Sequence, residues 1–257
     1  MRKSIAVIKI FIFIVFTVGN YIFFAVGLIV AKLFGKKYEP WRNRCLKFWG
    51  LHSMKCLGAK IEIEGTPPEP PFFLVSNHLS YIDIPVYYYA LKTTFVAKSE
   101  IKYWPVLGFM ARTLGIIFID RSRKRDVHRV NSMIADKINE HQGVVLFPEG
   151  RTSPGDEIKP FRPSLLQHPV EAAFDVHYAV IRYETGKNDP PARDTVSWWQ
   201  DVSLMKHFIG LASNRSITAT VTFGRKSLKN DDRKELAGDL QKEAEKMFIP
   251  MNINMLD

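Results

Sequence analysis

From Ile10 to Val30 the chain runs without a charged side chain. As a helix, about 20 residues rise roughly 30 Å, the thickness of a hydrocarbon core. A secretory leader has an apolar stretch of only ~7–15 residues and a small-residue cleavage site. This run is longer and offers no such site, so it reads as a retained membrane anchor. Gly19 and Asn20 fall near its middle and allow a break into two half-embedded segments. Arg2, Lys3 and Lys9 precede the run, whereas Lys32, Lys36, Lys37, Arg42, Arg44 and Lys47 follow it. That asymmetry predicts an inner-membrane protein whose downstream domain faces the cytoplasm.

The excess of basic residues, 36 Lys and Arg against 26 Asp and Glu for a net charge of +10, is read beside this anchor. Trp41, Cys45, Phe48, Trp49 and His52 recur at three- and four-residue spacing among Arg42, Arg44, Lys47 and Lys55. This is the pattern of a basic amphipathic helix on an anionic membrane surface. The same spacing also allows a helix packed on the body, with Trp41 and Trp49 in its core. No recognised nucleic-acid-binding module accompanies the charge, so nucleic acid is not an expected partner. Cys45 and Cys56 are the only cysteines; they cannot make a disulfide scaffold, and they lack the C-x-x-C spacing of a zinc or redox site.

Thr66-Pro67-Pro68-Glu69-Pro70-Pro71 can be neither helix nor central strand and marks a turn. Beyond it, short β-branched or aromatic runs suited to buried strands (Phe72–Ser76, Thr94–Ala97, Gly115–Ile119, Val144–Phe147) alternate with helical patterns, and Val176–Tyr183 and Ile217–Phe223 read as two further strands. Tyr81–Leu91 and Lys124–Glu140 are the helices expected among them. In the second, Val127, Val130, Met133, Ile134 and Ile138 share a face. Asp232 and Glu235 are spaced to cap a last helix bearing Leu236, Leu240, Ala244 and Met247. The predicted fold class is α/β: a mixed, mostly buried sheet flanked by helices, with an N-terminal membrane-anchoring helical segment. The predicted division is residues 1–60 as membrane-associated helices and 61–257 as the functional domain.

Three clusters stand where strands give way to turns. In Asn77-His78-Leu79-Ser80-Tyr81-Ile82-Asp83, His78 and Asp83 do not share the face of an ideal helix, since five residues rotate ~500°. A turn at Leu79–Ser80 would fold the carboxylate onto one imidazole nitrogen and leave the other as a base. Asp83 as a helix N-cap is the competing arrangement. Gly115-Ile116-Ile117-Phe118-Ile119-Asp120-Arg121-Ser122-Arg123 is a strand ending in a basic loop, and with helix N-terminal donors it suits a phosphate. Phe147-Pro148-Glu149-Gly150-Arg151-Thr152-Ser153 offers a sharp glycine turn and a planar guanidinium for phosphate or carboxylate.

In this order the three clusters resemble the motifs of the glycerophospholipid acyltransferase family, most closely its bacterial 1-acylglycerol-3-phosphate acyltransferase branch. Lys98, in Phe95-Val96-Ala97-Lys98-Ser99-Glu100 ahead of Trp104-Pro105-Val106-Leu107-Gly108, is similar to the family's segment between the first two motifs. The resemblance spans roughly Ile61 to Pro250. It implies acyl transfer from a thioester, acyl-CoA or acyl carrier protein, to the free hydroxyl of a lysophospholipid acceptor, giving phosphatidic acid in phospholipid biosynthesis. Neither metal nor resident cofactor is implied. His78 matches the general base and Asp83 the residue orienting it. Lys98, Arg121, Glu149, Gly150 and Arg151 match acceptor-binding positions. All of the base machinery is present, against a lipid-binding module without catalysis. Two segments depart from the pattern: Phe161-Arg162-Pro163-Ser164 replaces an F-x-x-G sequence, and Val176–Ile181 lacks the proline of the fourth motif. Another lysophospholipid, or a lyso-ornithine lipid, is therefore an alternative acceptor.

Overall fold

The computed structural model describes residues 2–120 and 123–251. The apolar run lies within a single helix, α1 (Arg2–Leu33), unbroken at Gly19 and Asn20. One stripe of α1 is docked along its length. Ala6, Ile10 and Phe13 meet the core, Thr17 accepts from the Trp49 indole at 3.0 Å, and the Phe24 carbonyl accepts from Trp41 at 3.1 Å. Lys9 Nζ donates to the carbonyls of Leu57 and Asn214 at 2.9 and 2.7 Å. The remaining circumference, including Phe11, Val15, Val18, Ile22 and Val26, is exposed.

The second helix, α2 (Glu39–Cys56), runs antiparallel to α1 and buries Arg42, Cys45, Leu46, Gly50, Ser53 and Met54. Trp41 and Trp49 are spent on α1, so α2 takes the packed arrangement rather than lying on lipid. Gly50 permits the closest approach: a Cβ there would lie 2.3 Å from the Pro85 carbonyl and 2.9 Å from the Tyr89 amide. The Arg42 guanidinium is wholly buried and donates to the Leu114 carbonyl at 3.3 Å and to the Gln142 side chain.

Seven strands follow: β1 (Ala59–Glu64), β2 (Phe73–Ser76), β3 (Thr93–Lys98), β4 (Ile117–Ile119), β5 (Gly143–Leu146), β6 (Val176–Thr185) and β7 (Ile217–Phe223). They form one mixed sheet in the order β1-β7-β6-β2-β5-β3-β4. β2 through β6 are parallel to one another, β7 is antiparallel to β6, and β1 is parallel to β7. Thus β2, β3, β4 and β5 all end at the same edge. β2 and β5 are buried at every residue, which is why they read as unbroken apolar runs.

α3 (Asp83–Ala90) links β2 to β3, α4 (Leu107–Thr113) links β3 to β4, and α5 (Lys124–Lys137) links β4 to β5. The short α6 (Gln167–Glu171) precedes β6, α7 (Ala192–Thr195) and α8 (Leu204–Ala212) lie between β6 and β7, and α9 (Arg233–Met247) follows β7. One face of the sheet is covered by α2 and α3 with α1 and α8 outside them, the other by α5 and α9. The expected face of α5 is inward: Val130 and Ile134 are buried, with Val127, Met133 and Ile138 packed against the same core. Asp232 caps α9 through the amides of Lys234 and Glu235 at 2.7 and 3.0 Å. Glu235 does not complete the reciprocal box, because the Asp232 amide donates to Asn230 instead. The strand expected from Gly115 begins only at Ile117, and β1, α4 and α8 are elements beyond those expected.

Candidate active site

The ends of β2 and β5 supply the centre. Pairing of Val75 with Leu146 brings the residues just beyond each strand together, and His78 stacks on Phe147 with ring centroids 4.1 Å apart and planes 13° apart. The His78 side chain keeps 21% of its surface, enough for a ligand to reach its free edge. The turn after it is tight: the Ser80 carbonyl accepts from the Asp83 amide at 3.1 Å, and α3 starts there. Asp83 is consequently in the first turn of α3, with Ile82 at the cap, so the capping arrangement is not the one adopted. Its carboxylate points back. Oδ2 lies 2.7 Å from His78 Nδ1 and also accepts from the amides of Leu79 and Ser80 at 2.8 and 3.1 Å.

The other oxygen, Oδ1, accepts from the Tyr183 hydroxyl at 2.6 Å. Tyr183 is buried, and burial beside the Asp83 carboxylate holds its phenol well above the ordinary range, so it acts as donor. Its position is set two residues upstream, where the Asn77 side chain accepts from the Ile181 amide at 2.8 Å and donates to the Ile181 carbonyl at 2.9 Å. Residues 181 and 183 share a face of β6. With Nδ1 donating to a fully hydrogen-bonded carboxylate, the imidazole is held in the tautomer that leaves Nε2 as an acceptor.

The turn beyond β5 closes over this pair. The Gly150 amide donates to the Phe147 carbonyl at 3.1 Å, with Gly150 at φ 78°, where a side chain would be strained. The Ser153 amide donates to the His78 carbonyl at 2.9 Å. Glu149 is only 3% exposed, and neither carboxylate oxygen closes a hydrogen bond. Burial pushes its carboxyl up to about 8, against the pull of the His78 amide and, more weakly, of Ser153 and Lys159, with the nearby Asp83 charge adding to the rise. At neutral pH it is chiefly an uncharged acid.

The remaining predicted positions are more dispersed. Arg151 is exposed on the same turn. Lys98 ends β3 at the same sheet edge, pairing with Glu100 at 2.7 Å. Arg121 lies outside the described residues; its sequence neighbours Arg123, Lys124 and Arg125 are basic. Arg123 pairs with Asp120, and Arg129 bridges Asp126 and the Phe118 carbonyl. Among the described residues, no three His, Cys, Asp or Glu side chains are gathered as for a metal ion. Sequence reasoning missed Tyr183 and Phe147 as partners of the pair. Phe147 opens the third cluster, but nothing local pairs it with His78, and Tyr183 has no local signal because it lies within an apolar strand.

A family model described as acyltransferase matches residues 60–182. The chain is 34% identical over 186 residues to the 1-acyl-sn-glycerol-3-phosphate acyltransferase of Neisseria gonorrhoeae, covering 71% of each. It is 32% identical over 230 residues to the lyso-ornithine lipid O-acyltransferase of Brucella abortus, covering 81% of this chain and 83% of that one. The crystal structure of the 1-acyl-sn-glycerophosphate acyltransferase from Thermotoga maritima shares the fold, with a TM-score of 0.72 over 96% of each chain at 18% identity.

Proposed function

The chain belongs to the glycerophospholipid acyltransferase family, and from that premise we propose that it acylates 1-acylglycerol-3-phosphate to phosphatidic acid at the cytoplasmic face of the inner membrane. The observation that carries this reading is the 2.7 Å contact of His78 Nδ1 with Asp83, with Nε2 left as a base at a partly open edge. The acceptor hydroxyl loses its proton to Nε2 as its oxygen attacks the thioester carbonyl. Asp83 stabilises the imidazolium that forms. The tetrahedral intermediate expels the thiolate, which recovers the proton from His78, so no group is consumed. Acyl-CoA or acyl carrier protein supplies the thioester, and the step requires neither metal nor resident cofactor. Arg151, Lys98 and Arg121 hold the acceptor's phosphate, and Glu149 and Gly150 shape the turn that presents Arg151.

His78→Ala tests the base: transfer should fall by ~10²–10⁴-fold with an unchanged thermal melt. Retention of more than a tenth of the rate would remove His78 from this role.

A second reading, acylation of a lyso-ornithine lipid, is favoured by the Brucella abortus relative, which aligns with more of this chain than the Neisseria gonorrhoeae one. It also accords with the two departures at Phe161–Ser164 and Val176–Ile181. Arg151→Lys separates the readings. Lysine keeps the charge but loses the two-pronged contact, so a phosphate acceptor should bind more weakly while the donor's apparent affinity holds. A zwitterionic acceptor without phosphate should bind nearly as before. A panel of lysolipids with labelled acyl donor identifies which acceptor turns over.

A further inference from the structure

After β3 the chain turns through Ser99–Tyr103 and enters α4 by Trp104, Pro105 and Val106. Every residue from Lys102 to Leu107 is exposed. Tyr103 is 78%, Val106 68% and Phe109 54% exposed, although burying such a side chain is worth ~1.5–3 kcal/mol. This is a contiguous apolar face, not a scatter of single residues, and such faces mark interaction sites. Val106 holds φ 60°, a conformation that β-branched residues rarely adopt, so its outward placement is imposed by the fold.

Two further observations identify the occupant. The face is continuous with the outer surface of α1. The Phe109 ring meets Tyr21 edge-on with centroids 6.4 Å apart, and the Tyr21 hydroxyl lies 2.8 Å from Thr113 Oγ1. Val18 and Ile22, one turn before Tyr21 and next to it, are exposed beside them. The charges are also of one sign: no acidic residue occurs from Ile101 to Leu114. Exposed Lys102 and Arg112 are joined by a 3.0 Å hydrogen bond from the guanidinium to the Lys102 carbonyl. Aromatic rings beside cations match the boundary between headgroups and acyl chains, where each Lys or Arg gains ~1 kcal/mol from anionic lipid.

We propose that Tyr103–Phe109 is a second membrane-inserting element, a wedge that continues the apolar surface of α1 into the acyl chains of an anionic bilayer. Since β3 ends at the same sheet edge as β2 and β5, the wedge stands on the His78 side of the molecule. It sets that edge at headgroup depth, where a lysolipid's free hydroxyl lies. The inference rests on the reading that α1 is bedded in the bilayer, and the test separates the two.

Full-length protein lacking its native thiols (Cys45→Ala, Cys56→Ala) takes one environment-sensitive fluorophore through Val106→Cys, Val15→Cys or Lys242→Cys. The last is on α9, across the sheet from α1. Each is placed in phosphatidylglycerol–phosphatidylethanolamine vesicles carrying acyl-brominated lipid. Quenching at 106 and 15 but not at 242 is the expected result. Quenching at 15 without 106 overturns the wedge and leaves the anchor standing, whereas quenching at neither overturns both. In a second arm, Val106→Glu with Phe109→Glu should lose about tenfold or more of the activity on vesicle-borne lysolipid, given the cost of charge in a bilayer. Activity on the same lysolipid in detergent micelles should be kept. Equal loss in both would make the segment merely structural and overturn the proposal.

Discussion

Asp83 is the most heavily hydrogen-bonded side chain of the site, and Tyr183 is the donor to its Oδ1, beside His78 and the two backbone amides on Oδ2. Tyr183→Phe removes one hydroxyl and leaves Asp83 Oδ1 buried without a partner, at a cost of ~1–3 kcal/mol. The expected outcome is a fall in kcat of about tenfold with acceptor KM nearly unchanged, because the contact orients the base and touches no substrate. A variant that melts lower yet keeps kcat would reduce Tyr183 to packing. Glu149 makes a prediction in pH. In the unfolded chain it ionises near 4.5, while in the folded protein it keeps its proton to about 8. The folded state then holds the extra proton between those values, so its stability falls as pH rises through that window. Glu149→Gln, which mimics the neutral acid, should flatten the melting temperature between about pH 5 and 8 and melt higher than the parent at about pH 9. Spacing suggested that His78 and Asp83 could meet, but only the turn at Ser80 decides it. Tyr183, 100 positions from Asp83, had no signal in the sequence because its hydroxyl finds Asp83 only after β6 pairs with β2.

Elements were legible where one pattern dominated. β2 and β5 are apolar runs flanked by turn residues, β7 alternates threonine with apolar residues, and α9 shows its cap and its stripe. β1 was missed because Lys60, Glu62 and Glu64 alternate with apolar residues on an edge strand, which keeps only half the signal of a buried one. α4 was hidden by Pro105 and Gly108, and α8 is too short for its period to separate it from a strand. The fate of α2 could not be read, since lipid and protein reward the same spacing. Its contact with α3 is set by Gly50. Gly50→Ala would put a methyl group 2.3 Å from the Pro85 carbonyl, and relieving such overpacking costs ~1–3 kcal/mol. Because α3 opens with Asp83, the variant should lose activity along with stability. Calorimetry and turnover measured together check this, and full activity in a destabilised protein would show that the α2 contact does not reach the site.

At the scale of the whole molecule, α1 is both anchor and cover. Its docked stripe shields Trp49, Phe208 and the carbonyls met by Lys9, so removing residues 1–30 uncovers apolar surface on α2 and α8. The truncated protein should leave the membrane fraction in part, melt lower, and self-associate unless detergent is present. Sedimentation and a melt with and without detergent check this, and a monomeric, equally stable truncation would show that the docking contributes nothing. The contact between Lys9 and Asn214 spans 205 positions, and this has a consequence in time. At ~5–20 residues per second of synthesis, Lys9 is made roughly 10–40 s before Asn214 exists. Through that interval α2 can dock on one stripe of α1, whose outer apolar surface has only lipid to meet, so the nascent chain meets the bilayer first. The rest of the body is then assembled against a helix already in place.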